Sequence, residues 1–269
     1  MKKDVLGEII AAKRQEVELR KQQVPAGYLV RSEEYNRTCY SLKQQLLNRG
    51  SSGIIAEFKR RSPSGGFSNT VAGPEAVARG YLRAGAVAVS VLTDTSFFGG
   101  SLTDLQVIRK AVPCPILRKD FIIDEYQVHE SKQAGADVIL LIASVLTPDQ
   151  VLSLTACAHQ AGMEVVLEVH NEEELDANRN TQADIIGVNN RDLKTLHVSV
   201  ETSIRLAGMM PANCVRIAES GIENPFEVIG LKRLGYHGFL IGQHFMQQQD
   251  PAAACFEFIQ GVEQTGSNK

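Results

Sequence analysis

The sequence predicts an α/β chain folded as a (βα)8 TIM barrel with an N-terminal helical extension. Three observations lead there. A unit of amphipathic helix, glycine and short apolar strand keeps recurring, and eight such strands can be read in order. The length of 269 residues lies near the roughly 250 typical of one such barrel. Length alone would also allow two smaller domains, and a doubly wound open sheet is the architectural alternative. No Pro/Ser/Gly-rich linker divides the set, so residues 1–269 read as one domain, with 1–52 as the extension and 53–269 as the barrel.

The extension comes first. Leu6, Ile9, Ile10, Val17 and Leu19 suggest a helix suited to lie across one mouth of the barrel. The predicted strands then follow as Ile54–Phe58, Val87–Leu92, Pro115–Arg118 and Val138–Ile142, and as Val165–Val169, Ile185–Val188, Val215–Ala218 and Phe239–Ile241. They are short, continuous and β-branched, as strands buried on both faces of a parallel sheet must be. Gly85, Gly135, Gly162 and Gly235 each stand between a helical pattern and the next strand, where a glycine closes a helix without a Cβ clash. Helix starts are equally legible. Thr147-Pro148-Asp149-Gln150 offers an N-cap hydroxyl, proline at the first helical position and a glutamine for a capping box. Gly73-Pro74, Asn224-Pro225 and Asp250-Pro251 open helices in the same way. Alternating βα units argue for a parallel sheet, and eight of them argue for closure.

Composition narrows the function classes. The chain is 43% hydrophobic and 22% charged, with a net charge of −3. The balance of 28 basic against 31 acidic residues speaks against a general nucleic-acid surface. The densest basic run, Lys59-Arg60-Arg61, has no interleaved aromatics. The most apolar run, Val138 to Leu146, falls far short of the roughly 20 residues a spanning helix needs. Asp4, Glu8 and Lys13 interrupt any N-terminal targeting segment. The five cysteines are odd in number and scattered, without metal or redox spacing. The expectation is a cytoplasmic protein with reduced thiols, no bound metal, and neither a nucleic-acid nor a membrane partner.

In a barrel, chemistry belongs at the C-terminal strand ends, and there the sequence places polar groups that are costly to hold near a core. The first strand ends in Glu57-Phe58-Lys59, the third in Arg118-Lys119-Asp120, and the fifth carries Glu168. The sixth runs into Asn189-Asn190-Arg191, the seventh into Glu219-Ser220-Gly221 and the eighth into Gly242-Gln243. A single charge at a strand end usually faces solvent or completes an ion pair, and one Ser-Gly is usually a turn. Closure changes the weight of these residues, because it brings all of them to one mouth. Two lysines and three glutamates would there perturb one another's protonation, as an acid–base site requires. Ser220-Gly221 and Gly242-Gln243 stand where barrels often bind phosphate, through backbone N–H groups. His170 follows Glu168 by two but reads as a rim residue. His129, His159, His197 and His237 have no partner spacing, and no metal constellation appears.

Taken together, the segments IIAEFKRRSPSGG, PILRKDF, VLEVH, IGVNNRDL, RIAESGI and FLIG resemble the indole-3-glycerol-phosphate synthase family, in its order and spacing. The similarity runs from about Asp4 to Glu263. The resemblance implies a TIM barrel of tryptophan biosynthesis that needs no cofactor. Its reaction converts 1-(o-carboxyphenylamino)-1-deoxyribulose 5-phosphate into indole-3-glycerol phosphate, CO₂ and water. By similarity Lys119 would be the general acid and Glu168 the acid–base group of the dehydration. Lys59 would neutralise the substrate's anionic groups, and Glu57 would hold the lysine pair. Asn189 and Glu219 would bind hydroxyls or orient the catalytic groups. Ser62, Ser220, Gly221, Gly242 and Gln243 would line the phosphate and its surroundings, with Arg191 also touching substrate. Phe98, Phe121, Leu140, Leu193 and Ile241 would enclose the anthranilate-derived ring.

The sequence departs from the family's pattern where the last strand runs into IGQHFM, since a small residue commonly follows that glycine. Many relatives are fused to the next barrel of the pathway, whereas this chain reads as monofunctional, a monomer or weak homodimer. Two alternatives stay open. One is a Schiff-base phospho-sugar lyase or aldolase in which Lys119 forms an imine; the other is a non-catalytic barrel that binds a phosphometabolite and regulates a partner. The first would be trapped by borohydride, and the second would lack the Lys119–Glu168 pair.

Overall fold

The computed structural model describes residues 5–62, 69, 71–192, 197–211 and 213–267. Leu193 and the 63–66 stretch of the first motif lie outside them. Eight parallel strands close in sequence order, the first pairing with the last. They are β1 (Ile54–Phe58), β2 (Ala88–Leu92), β3 (Ile116–Lys119), β4 (Val138–Ile142), β5 (Glu164–Val169), β6 (Ile185–Asn189), β7 (Val215–Glu219) and β8 (Gly238–Ile241). Each lies within one residue of its predicted bounds.

Helices precede, separate and follow the strands. The extension supplies α1 (Val5–Gln23), α2 (Ala26–Leu29) and α3 (Leu42–Leu47). Around the barrel run α4 (Pro74–Arg83), α5 (Leu102–Ala111), α6 (Glu125–Ala134), α7 (Pro148–Gln160), α8 (Glu172–Ala177), α9 (Glu201–Ala207) and α10 (Pro225–Arg233), and after β8 come α11 (Gln243–Met246) and α12 (Pro251–Ser267). The predicted caps form. Thr147 and Gln150 make a reciprocal capping box on α7, and Asn224 and Glu227 do the same on α10. Gly135 ends α6 at φ +104°, its N–H returning to the carbonyls of Ser131 and Lys132. A Cβ there would press to 2.5 Å from the Arg109 side chain, so both conformation and space call for glycine.

Strand alternation sorts the side chains into two layers. Ile55, Ala88, Leu117, Val138, Leu140, Val166, Ile185, Ile217 and Leu240 form one apolar cluster inside the barrel. Phe58, Val91, Ile116, Ile139, Leu167, Val188, Ala218 and Phe239 pack outward against the helices in a second cluster. Leu42 and Leu46 of α3 join the inner cluster. Leu46 sits where a Cβ on Gly238, the first residue of β8, would touch it at 2.8 Å, which places α3 at the N-terminal end of the strands. Helix α1 joins the inner cluster through Ile9 at the opposite mouth, near Phe121. Its buried stripe is Ile9, Lys13 and Val17; Leu19, expected on that stripe, is 58% exposed.

Candidate active site

Above the apolar floor, the inward positions turn polar at the ends of β1, β3, β5, β6 and β7. Glu57, Lys119, Glu168 and Glu219 each lie two residues beyond a floor residue on the same strand, and Asn189 lies two beyond the inward Gly187, so all five face the barrel interior. The register sets Asn189 of β6 beside Glu219 of β7, and Glu168 of β5 beside Ile142 of β4. Above them opens a cavity of about 340 Å³, within the range of small-molecule sites. Val5, Leu6 and Ile9 of α1 cover part of it.

Lys119 is the centre of the charge cluster. Its Nζ donates to Glu168 Oε2 at 3.3 Å and, more closely, to Glu219 Oε2. The lysine side chain keeps 16% of its surface accessible, while the two carboxylates keep 3% and 1%. Burial alone would lower the Lys119 pKa, but the Glu219, Glu168 and Glu57 carboxylates outweigh it and hold the ammonium well above its ordinary range. For Glu168, burial opposes ionisation, yet Lys119, His170 and a hydrogen bond from Asn189 pull it far below the ordinary carboxylate range. Glu219 goes the other way. Burial, with Glu168 and Glu57 nearby, pushes it up to about 7 despite Lys119. Its Oε1 finds no hydrogen-bond partner among the described residues, as suits a carboxyl that readily carries a proton. Glu57 meanwhile pairs with Lys59 at 2.9 Å.

Two glycines make room for these acids. A Cβ at Gly187 on β6 would come 2.6 Å from Glu219 Oε1, and one at Gly242 would come 2.2 Å from Glu57 Oε1. Gly187 escaped the sequence reading, since a glycine inside a strand announces a close approach without saying to what. His170, expected at the rim, instead lies 3.3 Å from Glu168.

The cavity wall gathers the remaining predicted residues. Phe98, Phe121, Leu140 and Ile241 border it, as do Ser62, Arg191, Ser220, Gly221, Gly242 and Gln243. The Phe98 and Phe121 rings lie 6.2 Å apart, tilted by 42°. Ile241 belongs to the outer layer, and Leu240 holds the inward position beside it. Glu219 does not line the cavity at all; it sits beneath Lys119 and reaches the interior through it. At the far end of the cavity, Ser220 adopts φ +66° and Gly221 φ +71°. A left-handed serine is strained backbone, and such strain collects at functional turns. Asn190 braces the turn, donating from Nδ2 to the Ser220 carbonyl at 3.0 Å while its Oδ1 accepts from the Ser203 hydroxyl at 2.8 Å. Among the described residues, no three His, Cys, Asp or Glu side chains gather as a metal site would need, and no helix is long and apolar enough to cross a membrane.

Helix α1 is fixed over this mouth by Lys13, a cation that no local sequence pattern singles out. Lys13 Nζ lies 2.9 Å from each of Asp94, Asp120 and Glu16, with only 1% of its side chain exposed. Asp120 also receives Arg118 at 3.0 Å and the Thr93 hydroxyl at 2.6 Å.

Comparison with known proteins points to one family. The sequence profile of the family described as indole-3-glycerol phosphate synthase matches residues 6–258. An indole-3-glycerol phosphate synthase of Bacteroides thetaiotaomicron is 47% identical over 261 residues, covering 97% of this chain and 100% of the relative. Relatives of the same name from Magnetococcus marinus and Salinibacter ruber are 41% and 42% identical, covering 95% and 93% of this chain and 98% and 93% of theirs. Among solved structures, a thiamine phosphate pyrophosphorylase from Pyrococcus furiosus superposes with a TM-score of 0.61 at 16% identity, over 83% of this chain and 98% of its own. That likeness concerns the fold alone.

Proposed function

The chain belongs to the indole-3-glycerol-phosphate synthase family, and from that premise we propose that Lys119 is the general acid of its ring closure and Glu168 the acid–base group of its dehydration. The protein is a carboxy-lyase of tryptophan biosynthesis acting on a small phosphorylated substrate. It converts 1-(o-carboxyphenylamino)-1-deoxyribulose 5-phosphate into indole-3-glycerol phosphate with loss of CO₂ and water. In the first step the aryl carbon bearing the carboxylate attacks the C2 carbonyl, and negative charge grows on the carbonyl oxygen. Lys119 supplies the proton. A lysine held protonated by buried carboxylates is a weak acid in isolation, but it is matched to an alkoxide, which is more basic still. CO₂ then leaves and the ring recovers aromaticity, so the electrons of the broken C–C bond return to the aryl system. Glu168, held ionised, takes a proton from the substrate and returns it to the departing hydroxyl.

The other roles follow from position. Lys59, paired with Glu57, faces the cavity to neutralise the substrate's carboxylate. Asn189 orients Glu168, and Glu219 orients Lys119 from below. Phe98, Phe121 and Leu140, with Ile241 at the edge, enclose the anthranilate-derived ring. Ser62, Ser220, Gly221, Gly242 and Gln243, joined by Arg191, receive the phosphate end. No cofactor enters the scheme. The reading also takes the enzyme as one barrel domain with its N-terminal extension over the mouth, a monomer or weak homodimer working in the cytoplasm, where its free thiols would stay reduced.

The single observation that carries the assignment is Lys119 itself, its Nζ open to the cavity and paired with both Glu168 and Glu219, two carboxylates that favour the ammonium form. It also weighs against the imine alternative, because Schiff-base formation needs a neutral amine. Incubating the protein with the carboxyphenylamino-deoxyribulose phosphate should give indole fluorescence, and added borohydride should leave no adduct. Substrate consumption with an irreversible adduct at Lys119 would replace this reading with the Schiff-base one.

A further inference from the structure

Glu168 does not stand alone at the end of β5. The chain leaves the strand at Val169, and His170 folds beside the carboxylate with Nε2 3.3 Å from Glu168 Oε1. Its Nδ1 lies 3.0 Å from Glu174 Oε2 in the first turn of α8, and its backbone N–H donates to the same oxygen at 2.8 Å. Glu174 is itself held, since Asn171 Nδ2 donates to its other oxygen at 3.0 Å. The imidazole keeps 10% of its side-chain surface, so it is a wedge between one carboxylate inside the barrel and one outside.

This geometry dictates the ring's protonation. Nδ1 donates to Glu174, so a neutral ring would turn the Nε2 lone pair against the Glu168 oxygen, which is repulsive while Glu168 is ionised. Nε2 has no aligned hydrogen-bond acceptor among the described residues, so the 3.3 Å contact acts as charge against charge. We infer that His170 is a positioning residue, an imidazolium that holds Glu168 in place and ionised until its own proton-transfer step. The inference rests on the acid–base role proposed for Glu168. It explains a step that Lys119 cannot cover. Once Lys119 has given its proton to the substrate, Glu168 loses that counter-charge, and His170 keeps the carboxylate ionised for its own turn.

The surrounding charges are consistent. Glu168 is faced by Lys119 from β3, by Asn189 from β6 and by Glu219 from β7, while Glu57 from β1 acts on Glu219 and is partnered by Lys59. His170 is faced by Glu168 and by Glu174 from α8. Burial alone would lower the imidazole's pKa, but these two carboxylates outweigh it and push it up to about 10.

The test uses the full-length enzyme, with His170→Gln and Glu168→Gln compared with wild type across pH. In His170→Gln the acid limb of kcat/KM should move up by about one unit, the effect of removing one nearby opposite charge. Activity should fall on the acid side of the profile by up to about tenfold with little change in KM, and should approach wild type as the pH is raised past the shifted limb. A loss that is the same at every pH, or an unmoved limb, would overturn the inference. Should the variant not fold, NMR titration of the His170 ring in wild type decides alone. It should stay protonated above pH 8, and titration near the ordinary 6.5 would overturn the inference. Glu168→Gln separates the two readings: if it turns over like wild type, the role of Glu168 itself is wrong, whereas a crippled Glu168→Gln beside an unmoved His170→Gln profile sinks only the present inference.

Discussion

Arg118 and Lys119 are neighbours on β3 and both pair with buried carboxylates, yet they belong to opposite faces and opposite kinds of cluster. Arg118 points outward. Its guanidinium meets Asp120, Glu130, Ser131, the Gln127 carbonyl and Thr93, all within 3.3 Å, and Asp120 passes the network on to Lys13. Lys119 points inward to two carboxylates, and its cluster keeps an unpaired oxygen on Glu219 and an unaligned nitrogen on His170. The difference teaches how to tell structure from chemistry among buried charges. A cluster with nearly every donor and acceptor matched specifies packing, here the seating of α1. One left partly unmatched, beside a cavity, holds its groups ready to exchange protons.

The sharpest way to break that contrast is at Lys119. Lys119→Ala should lower kcat by about 10²–10⁴-fold, the usual worth of a general acid. Thermal stability should hold or rise, because removing the cation also lets Glu219 stay protonated. Turnover above a tenth of wild type, measured by indole fluorescence, would remove Lys119 from its role.

The outer cluster should answer in the opposite currency. Asp120→Ala leaves Arg118 and Lys13 short of a partner, and breaking a buried pair costs about 3–5 kcal/mol. Denaturant unfolding should show that loss, and whatever remains folded should keep kcat within an order of magnitude. The pH dependence follows from the same residue. Burial would raise its pKa, but Arg118 and Lys13 hold Asp120 well below the ordinary carboxylate range in the folded chain. Its stabilisation is thus present above the unfolded carboxylate's pKa and is lost as pH falls toward the folded one. The wild type should therefore lose stability on acidification below about pH 4, and Asp120→Ala should lose less.

The inner cluster was legible in the sequence and the outer one was not, for a physical reason. Glu57, Lys119, Glu168 and Glu219 are found by counting, because strand alternation and barrel closure fix where the last inward residue of each strand must point. The strand pattern was legible to within one residue, and the Pro-marked helix starts with it, whereas the caps Ser41, Ser101, Asp124 and Asn171 were not. Lys13 sits on a helix whose apolar pattern is weak, and its three acids come from α1 itself and from two strand ends about 80 and 107 positions away in the chain. No local pattern encodes that meeting. His170 fell between the two cases: its spacing from Glu168 was seen, but the turn that folds it back depends on Glu174 and Asn171. Leu19 shows the same limit, apolar by residue type but solvent-facing, because it lies two residues, about 200° around the helix, from the Ile9–Lys13–Val17 stripe.

Space, rather than charge, separates the clusters at Gly242. A methyl group there would stand 2.2 Å from Glu57 Oε1 and 2.9 Å from its Cβ, too close for a rotation of the carboxylate alone to relieve. Glu57 would have to shift and take Lys59 with it. Gly242→Ala should lower kcat/KM about tenfold while the outer network, and so the unfolding midpoint, moves little. A fall in stability without a fall in kcat/KM would mean that Glu57 belongs with Asp120 as a structural acid.

The smallest effect is expected at Gln243, where the chain departs from its relatives' small residue. Gln243 is half-buried, borders the cavity and opens the short helix α11. If the turns after β7 and β8 hold the phosphate mainly through backbone N–H groups, the amide side chain only adds a contact at the edge. Gln243→Ser would then restore the commoner residue type without moving the backbone. KM should stay within about threefold of wild type, since an edge contact to a ligand already held by several donors contributes little. Inhibition by inorganic phosphate at fixed ionic strength should shift by no more than the same factor, because the same amides would hold it. A KM rise of tenfold or more, matched by weaker phosphate inhibition, would show that the Gln243 side chain is itself a phosphate ligand. The polar face of the cavity would then extend further along β8 than the Lys119 cluster alone suggests.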